Sequence, residues 1–563
     1  MGLDKIIMKA GVISGRLVYR GFEHFTSNAG ETQKKLLQKL MKDNANTEYG
    51  KKYDFAHITT PEEYREKVPY STYADYDEYV QRMIKGEHDL ITSAKIRRYV
   101  ETSGSSGTPK IVPISAKASW YVYCMGFLGP VACVDKLYRS QGRRMSLTKG
   151  MMSWIIMEHR FPNGEKVCDG ASIPISKLKS ILPFYSCVPR EIIFAPNPDK
   201  IDIYYLILRF ALACPEVSFI GAVVLPSTVA IFQYLESNWE RLCDDIEAGT
   251  IDESIILPEK MRKALERKVK ADPRRARFLR EEFAKGFEDP IGPRIWKNLS
   301  WAYGMAGGTL ADYAMRIKRY VGENIPVHKF GYGASEGYFA IPLTPEADDA
   351  VMLPKSNYFE FIPRDPEEGD TPKLMTEVQE GKEYEVLLTN LSGFYRYKLG
   401  DVIKVTGFHH DAPIVKFMYR ANIMLNLCDE KTTQLMLDNA MNAFREETGI
   451  NYQSYSVYGN MEAETPNYIV LIETDQKTQI NEELRELAAR TFDEKMQENN
   501  IEYARYRVNN TLMQADAHFI RPGSFDEYRH MLQEMGRDTN QLKPVTILNS
   551  DKKKEFFFDR VIL

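Results

Sequence analysis

Cysteine and histidine are scarce in this chain, at seven and nine of 563 residues. The cysteines are scattered without a CxxC pair, which argues against a zinc cluster or a disulfide framework and makes a reduced, cytoplasmic setting the expectation. A surplus of positive charge is missing too. Lys and Arg number 74 against 78 Asp and Glu, a formal net charge of -4, so no basic field for nucleic acid is expected. Long hydrophobic runs are also lacking. The best candidate, residues 204–232, is broken by Arg209, Pro215, Glu216 and Pro226, so no membrane insertion is expected and the protein reads as soluble. Asp4, Lys5 and Lys9 deny the N-terminus the apolar core of a secretory signal. No solenoid-length repeat is present. A monomer is the working expectation.

What is present is an ordinary globular composition, 44% hydrophobic and 27% charged, in a chain too long for one core. Its densest cluster of special residues is ETSGSSGTPKIVP at 101–113. Glycines let a backbone aim several N–H groups at one anion, hydroxyls add donors, and Lys110 adds a mobile charge. A P-loop is excluded, because Walker A is GxxxxGK[ST] and Lys110 is followed by Ile111. The run matches [ST]SG[ST][ST]GxPK, a nucleotide loop of adenylate-forming enzymes; a flexible Ser/Gly loop is the plain alternative.

The remaining pattern is α/β. Residues 1–45 read as helix, with a turn at Gly50, and 116–133 as a buried helix containing Trp120 and Phe127. Residues 203–213, 217–225 and 227–248 read as helix, buried strand and amphipathic helix, with Gly249 beyond the last. The charged stretch 261–283 is expected to be a solvated helical pair. A strand at 299–303, a helix within 307–322 and a strand entering 327–337 follow. Residues 384–407 suggest a β-meander turning at Gly393 and Gly400. Strands at 452–458, 468–473 and 503–508, with a helix at 481–498, suggest a compact α+β unit. Two domains are expected, 1–420 and 421–563.

A second loop, YGASEG at 332–337, admits three readings. GxSxG fits a hydrolase nucleophile elbow at Ser335, but an elbow runs from strand into helix, and Pro342 and Pro345 forbid a long helix here. His409, His410, His518 and His530 lie downstream, with none marked as a base. A tight turn with a solvated Glu336 is the second reading. The third is an aromatic face for a purine at Tyr332 and a carboxylate for Mg²⁺ at Glu336. After that, YRYKLGDV at 395–402 places Asp401 where a carboxylate could accept both ribose hydroxyls.

Phosphate loop, aromatic–carboxylate loop and ribose aspartate, in that order, resemble the Gretchen Hagen (auxin-responsive) acyl acid amido synthetases of the acyl-adenylate-forming superfamily. NTEYGKKY (46–53), WERLCDDIEAGT (239–250), YFEFIP (358–363), GFYRYKLGDVIKVTGF (393–408), DEKTT (429–433) and the tail 523–543 extend the likeness over almost the whole chain. The resemblance implies a large α/β adenylate-forming domain, with mixed sheets, helices and a β-meander or barrel, and a smaller mobile α+β cap. It implies that a carboxylic acid reacts with ATP and Mg²⁺ to give acyl-AMP, and that an amine, usually of an amino acid, displaces AMP.

Carried over by residue, Thr102, Ser103, Gly104, Ser105, Ser106 and Lys110 would hold phosphate. Tyr332, Gly333, Ala334 and Ser335 would line the base, Glu336 would bind Mg²⁺, and Tyr397 and Asp401 would hold the ribose. Arg420, Lys431 and Lys543 would be the catalytic cations, and Met305, Gly308 and Thr309 would border the acyl group. Two departures stand out. The loop SGSSGTPK has the spacing of acyl-CoA synthetases, and the family's K-x-P-R becomes Lys543-Pro544-Val545-Thr546. A thiol acceptor, coenzyme A or a carrier protein, is therefore the alternative, and a non-catalytic nucleotide sensor a further one.

Overall fold

The computed structural model describes residues 3–563 apart from 102–109, 157, 162–163, 165, 169–178, 196–200, 307–310, 365–370, 421–423, 426, 429, 431, 464, 476–477, 509–510, 535–544 and 549–550. The chain forms two compact units. One comprises Met1–Leu399 with Ile403–Phe417, the other Gly400–Val402 with Met418–Leu563.

The larger unit holds two hydrophobic cores. The first surrounds a parallel sheet of strands Gly150–Met152, Phe219–Val224, Trp301–Met305 and Val327–Lys329, in that order. Such a sheet is buried on both faces and needs helical crossovers. Leu225–Ala248 supplies one: Ile231, Leu235, Leu242 and Ile246 are buried at helical spacing, and Gly249 ends the helix at φ +76°. The second core packs against an eight-stranded sheet, most of it antiparallel, that runs through Tyr358–Pro363, Glu383–Thr389, Tyr397–His409, Ala412–Arg420 and Gly337–Ile341. A smaller sheet carries the hairpin of Ile96–Glu101 and Ile111–Ser115.

The smaller unit packs helices Gln434–Thr448 and Glu482–Asn499 on a three-stranded sheet. Tyr452–Asn460 pairs antiparallel with Asn467–Thr474, which pairs parallel with Asp516–Ile520.

The expected α/β architecture is what the chain adopts, and several local expectations need correction. Residues 501–508 form a helix, not a strand. The Asn500 side chain accepts from the N–H groups of Glu502 and Tyr503, starting a helical turn. Tyr503 and Arg507, four apart, then both reach Asp493. The third strand is instead Asp516–Ile520. Gly400 is no turn residue; it bends the interior of Tyr397–His409 at φ +79°. Gly50 lies inside helix Glu48–Lys52, where an added Cβ would fall 2.0 Å from the Asn44 carbonyl oxygen. Trp120 is exposed rather than core, and Arg275, in the stretch expected to be solvated, is buried with its guanidinium donating to the carbonyls of Leu212 and Ile295. Among the described residues no helix is long and apolar enough to cross a membrane.

One helix carries a pH-dependent cost. Burial raises the Asp438 carboxyl from 3.8 to about 6, and the bond from the Tyr455 hydroxyl offsets only part of that. Folded Asp438 therefore favours its proton. Below about pH 3.8 neither state is penalised; as pH rises through 6 the unfolded chain has already ionised and stability is lost. Asp438→Asn keeps an acceptor for Tyr455 and removes the charge. It is expected to stabilise the smaller unit by about 1–2 kcal/mol at pH 7 and by little at pH 4. Urea unfolding of both proteins at the two pH values tests this; an equal gain at both would assign the effect to packing rather than charge.

Candidate active site

The site is built from connections at the ends of strands in the larger unit. In parallel sheets the carboxyl ends of strands are where loops can gather around a ligand. Met305 ends one such strand, half-buried, and the hairpin containing Glu336 follows the next, Val327–Lys329.

Tyr73 holds the strand that follows the first candidate motif. Its hydroxyl accepts the Ile111 N–H at 2.9 Å and donates to the Ile111 carbonyl at 3.1 Å, which fixes the start of strand Ile111–Ser115. Lys110 lies over the Tyr73 ring with Nζ 5.8 Å from its centroid. Burial pushes the Tyr73 phenol up to about 12, and the Asp77 and Glu336 charges add to the rise. Tyr73 therefore stays a neutral donor and acceptor close to Glu336.

YGASEG is a strand–turn–strand hairpin. Tyr332–Ala334 pairs antiparallel with Gly337–Ile341, leaving Ser335 and Glu336 as a two-residue turn. The strand–turn–helix of a nucleophile elbow is therefore not formed. The downstream histidines have other partners: His409 and His410 bond Glu23, His518 faces Asp516, and His530 bonds Gln533. Glu336 is buried at 7% exposure. Its carbonyl accepts from the Asn390 side chain at 3.4 Å. Asn390 in turn accepts from the N–H groups of Ser392 and Phe394, and the Ser392 hydroxyl accepts the Ser115 N–H at 3.0 Å. The loop 390–394 thus ties the Glu336 turn to strand Ile111–Ser115. The Tyr332 ring packs 5.2 Å from Phe339 and 6.0 Å from Phe417.

The Tyr397 ring is buried between Phe394 and Tyr76, at 5.1 and 6.4 Å. Its strand is seated by Ser71, whose N–H donates to the Arg396 carbonyl and whose carbonyl accepts the Lys398 N–H. Arg396 enters at φ +43° with its guanidinium on the buried Glu360 carboxylate. In the smaller unit Asp401, 3% exposed, accepts from Arg420 Nε at 2.9 Å.

Within DEKTT, Glu430 is a buried knot. Its carboxylate accepts from the N–H groups of Leu427 and Cys428 and from the Tyr468 hydroxyl, and Asn500 donates to its carbonyl. The segment beyond Lys543 is held likewise: the Val457 N–H donates to the Thr546 carbonyl, and Gln434 to its hydroxyl. Thr102, Ser103, Gly104, Ser105, Ser106, Gly308, Thr309, Lys431 and Lys543 lie outside the described residues. Gly333, Ala334 and Ser335 lie with Tyr332 and Glu336 in the hairpin.

Tyr73, Asn390, Glu360 and Glu430 were not singled out as site residues by the sequence. Only Glu360 carried a signal, a carboxylate inside the apolar strand YFEFIP. Tyr73 acts through a contact distant in sequence, and Asn390 and Glu430 combine local backbone bonds with distant ones.

The fold is shared with a solved acyl acid amido synthetase and, more distantly, with a solved CoA ligase. The AtGH3.15 acyl acid amido synthetase in complex with 2,4-DB superposes at a TM-score of 0.83 and 21% identity, covering 98% of this chain and 96% of that one. A 2-hydroxyisobutyryl-CoA ligase in its postadenylation state, at 12% identity, superposes at 0.50, covering 92% and 89%. The models of the GH3 family N-terminal, central and C-terminal domains match residues 18–327, 350–420 and 435–552. This chain belongs to the GH3 family. A jasmonoyl–L-amino acid synthetase of Oryza sativa subsp. japonica is 26% identical over 565 residues, 95% of this chain and 94% of that protein. An indole-3-acetic acid-amido synthetase of Arabidopsis thaliana is 27% identical over 568 residues, 96% and 93%.

Proposed function

We propose that this chain, as a GH3-family ligase, adenylates a carboxylic acid with ATP and passes the acyl group to the amine of an amino acid. The carboxylate oxygen attacks the α-phosphorus, the bond to the β-phosphate oxygen breaks, and pyrophosphate leaves. The amine then attacks the acyl carbonyl, AMP departs with the carboxyl–phosphate oxygen, and the amine proton goes to solvent. The mixed anhydride is itself the activated species, so Ser335 has no nucleophilic duty.

The observation that carries the reading is the hydrogen-bonded chain from the Glu336 carbonyl through Asn390 and Ser392 to Ser115, which joins the Glu336 turn to the strand following residues 102–109, where Lys110 lies over Tyr73. In the proposed roles, the 102–106 loop and Lys110 hold phosphate, Tyr332 to Ser335 border the base, and Tyr397 and Asp401 address the ribose. Met305, Gly308 and Thr309 border the acyl group. Arg420, Lys431 and Lys543 offset charge on the phosphates as pyrophosphate leaves. Glu336 suits Mg²⁺, which takes one or two carboxylates together with phosphate oxygens; when bound, the ion shields the pyrophosphate charge. Residues 421–563 are the second domain in this reading.

Acid-dependent exchange of labelled pyrophosphate into ATP, screened over a panel of carboxylic acids, tests adenylation without a guess about the acceptor. Supplying the best acid with pooled amino acids or with coenzyme A, and weighing the products, tests the second step. An amide is expected; a thioester with no amide would overturn the acceptor and leave adenylation standing. Ser335→Ala should keep most of the exchange activity, within about tenfold, because a turn hydroxyl is replaced. Complete loss with ATP binding intact would restore the nucleophile reading.

A further inference from the structure

Two adjacent histidines have no part in the chemistry above. They sit at the turn joining strands Tyr397–His409 and Ala412–Arg420, against the last turns of helix Leu3–Thr26. Neighbouring residues of a strand point to opposite faces. Here His410 takes a left-handed φ of +55°, and both imidazoles converge on one carboxylate oxygen. His409 Nε2 is 3.0 Å and His410 Nε2 2.9 Å from Glu23 Oε2. The ligand atoms of all three residues lie within 4.8 Å of one another.

We propose that Glu23, His409 and His410 bind a divalent cation of the zinc class. Two imidazoles and a carboxylate are the borderline donor set such ions prefer over Mg²⁺ or Ca²⁺. Bonds of about 2.0–2.2 Å set neighbouring ligand atoms about 2.8–3.6 Å apart in tetrahedral or octahedral sites. Both nitrogen–oxygen edges already fall in that range, and rotation of the exposed His410 ring closes the third. Each ring would bind through Nε2 with its proton on Nδ1, and any imidazolium gives its extra proton to solvent. Water completes the shell.

The surroundings hold the ligands in place. The His409 ring stacks on buried Phe22, with centroids 5.5 Å apart and planes 6° from parallel. The other carboxylate oxygen of Glu23 faces Lys136 Nζ at 3.9 Å, and Lys136 donates to the Tyr19 hydroxyl. An outer partner of this kind fixes the orientation of a metal-binding carboxylate. The Asp411 N–H donates to the Thr26 carbonyl, seating the turn on the end of the helix. A bound ion would therefore clamp the first helix to the hairpin of the larger unit.

The test uses the full chain without a histidine tag, stripped with chelator and titrated with Zn²⁺ by calorimetry in excess Mg²⁺. One equivalent is expected to bind and to raise the melting temperature. His409→Gln/His410→Gln is expected to lose at least tenfold in affinity and to melt at the same temperature with and without Zn²⁺. His410→Gln alone, at an exposed position that leaves the turn's backbone contacts in place, should show a large part of the loss. Absence of a one-equivalent event in the parent, or its survival in the double variant, would overturn the proposal.

Discussion

Glu360→Gln is expected to destabilise the larger unit by about 3–5 kcal/mol, the range for removing one partner of a buried ion pair. Glu360 is 1% exposed and serves two cations. Arg396 donates from Nε at 2.9 Å and Nη2 at 3.2 Å, and Arg65 from Nε at 3.1 Å. Arg396 is itself 5% exposed, and its remaining nitrogen donates to the carbonyls of Arg65 and Val68. Glutamine keeps the shape but strands two guanidiniums with no anion. Replacing Arg396 by Met as well should recover part of the loss, since it removes one of the two stranded charges. Urea unfolding followed by circular dichroism measures both; a cost below about 1 kcal/mol for Glu360→Gln would show that water reaches the site. Because Arg396 immediately precedes Tyr397, the single variant should also loosen the start of the strand leading to Asp401.

The second large effect separates two carboxylates by the ligand each addresses. Under the proposed roles, Asp401→Asn should weaken ATP and AMP alike by about 1.5–3 kcal/mol, or roughly 10- to 150-fold, as expected for a charged hydrogen bond. Glu336→Gln should leave AMP affinity within about twofold and slow pyrophosphate exchange, with a raised Mg²⁺ requirement. Equilibrium binding of AMP without metal, followed by exchange rates across a Mg²⁺ series, distinguishes them. If Asp401→Asn binds AMP as the parent does, its carboxylate serves Arg420 rather than the ribose. If Glu336→Gln keeps both rate and Mg²⁺ dependence, its burial has another cause.

The sequence by itself determined the fold class and the family, because both rest on local signals. Helix 225–248 announced itself by apolar residues at spacings of three and four and a terminal glycine. The proposed nucleotide motifs stand out in the sequence because close backbone approach to an anion demands Gly, Ser and Thr at set spacing. Tertiary structure decided what local signals underdetermine. The stretch 501–508 carries aromatic and β-branched residues that suit a strand, yet it is a helix, because Tyr503 and Arg507 share Asp493 only at helical spacing. GASEG fits two chemistries, and the pairing of Gly337 with Ala334 removes the helix that one of them requires. Tyr73 is one of 33 tyrosines until Ile111, 38 positions away, folds against its hydroxyl. His409 and His410 carry no assignable role in the sequence until a left-handed residue turns both toward Glu23, 386 positions from the first of them. Spacing along the chain fixes periodicity and turn chemistry, whereas partners hundreds of residues apart leave no mark on either.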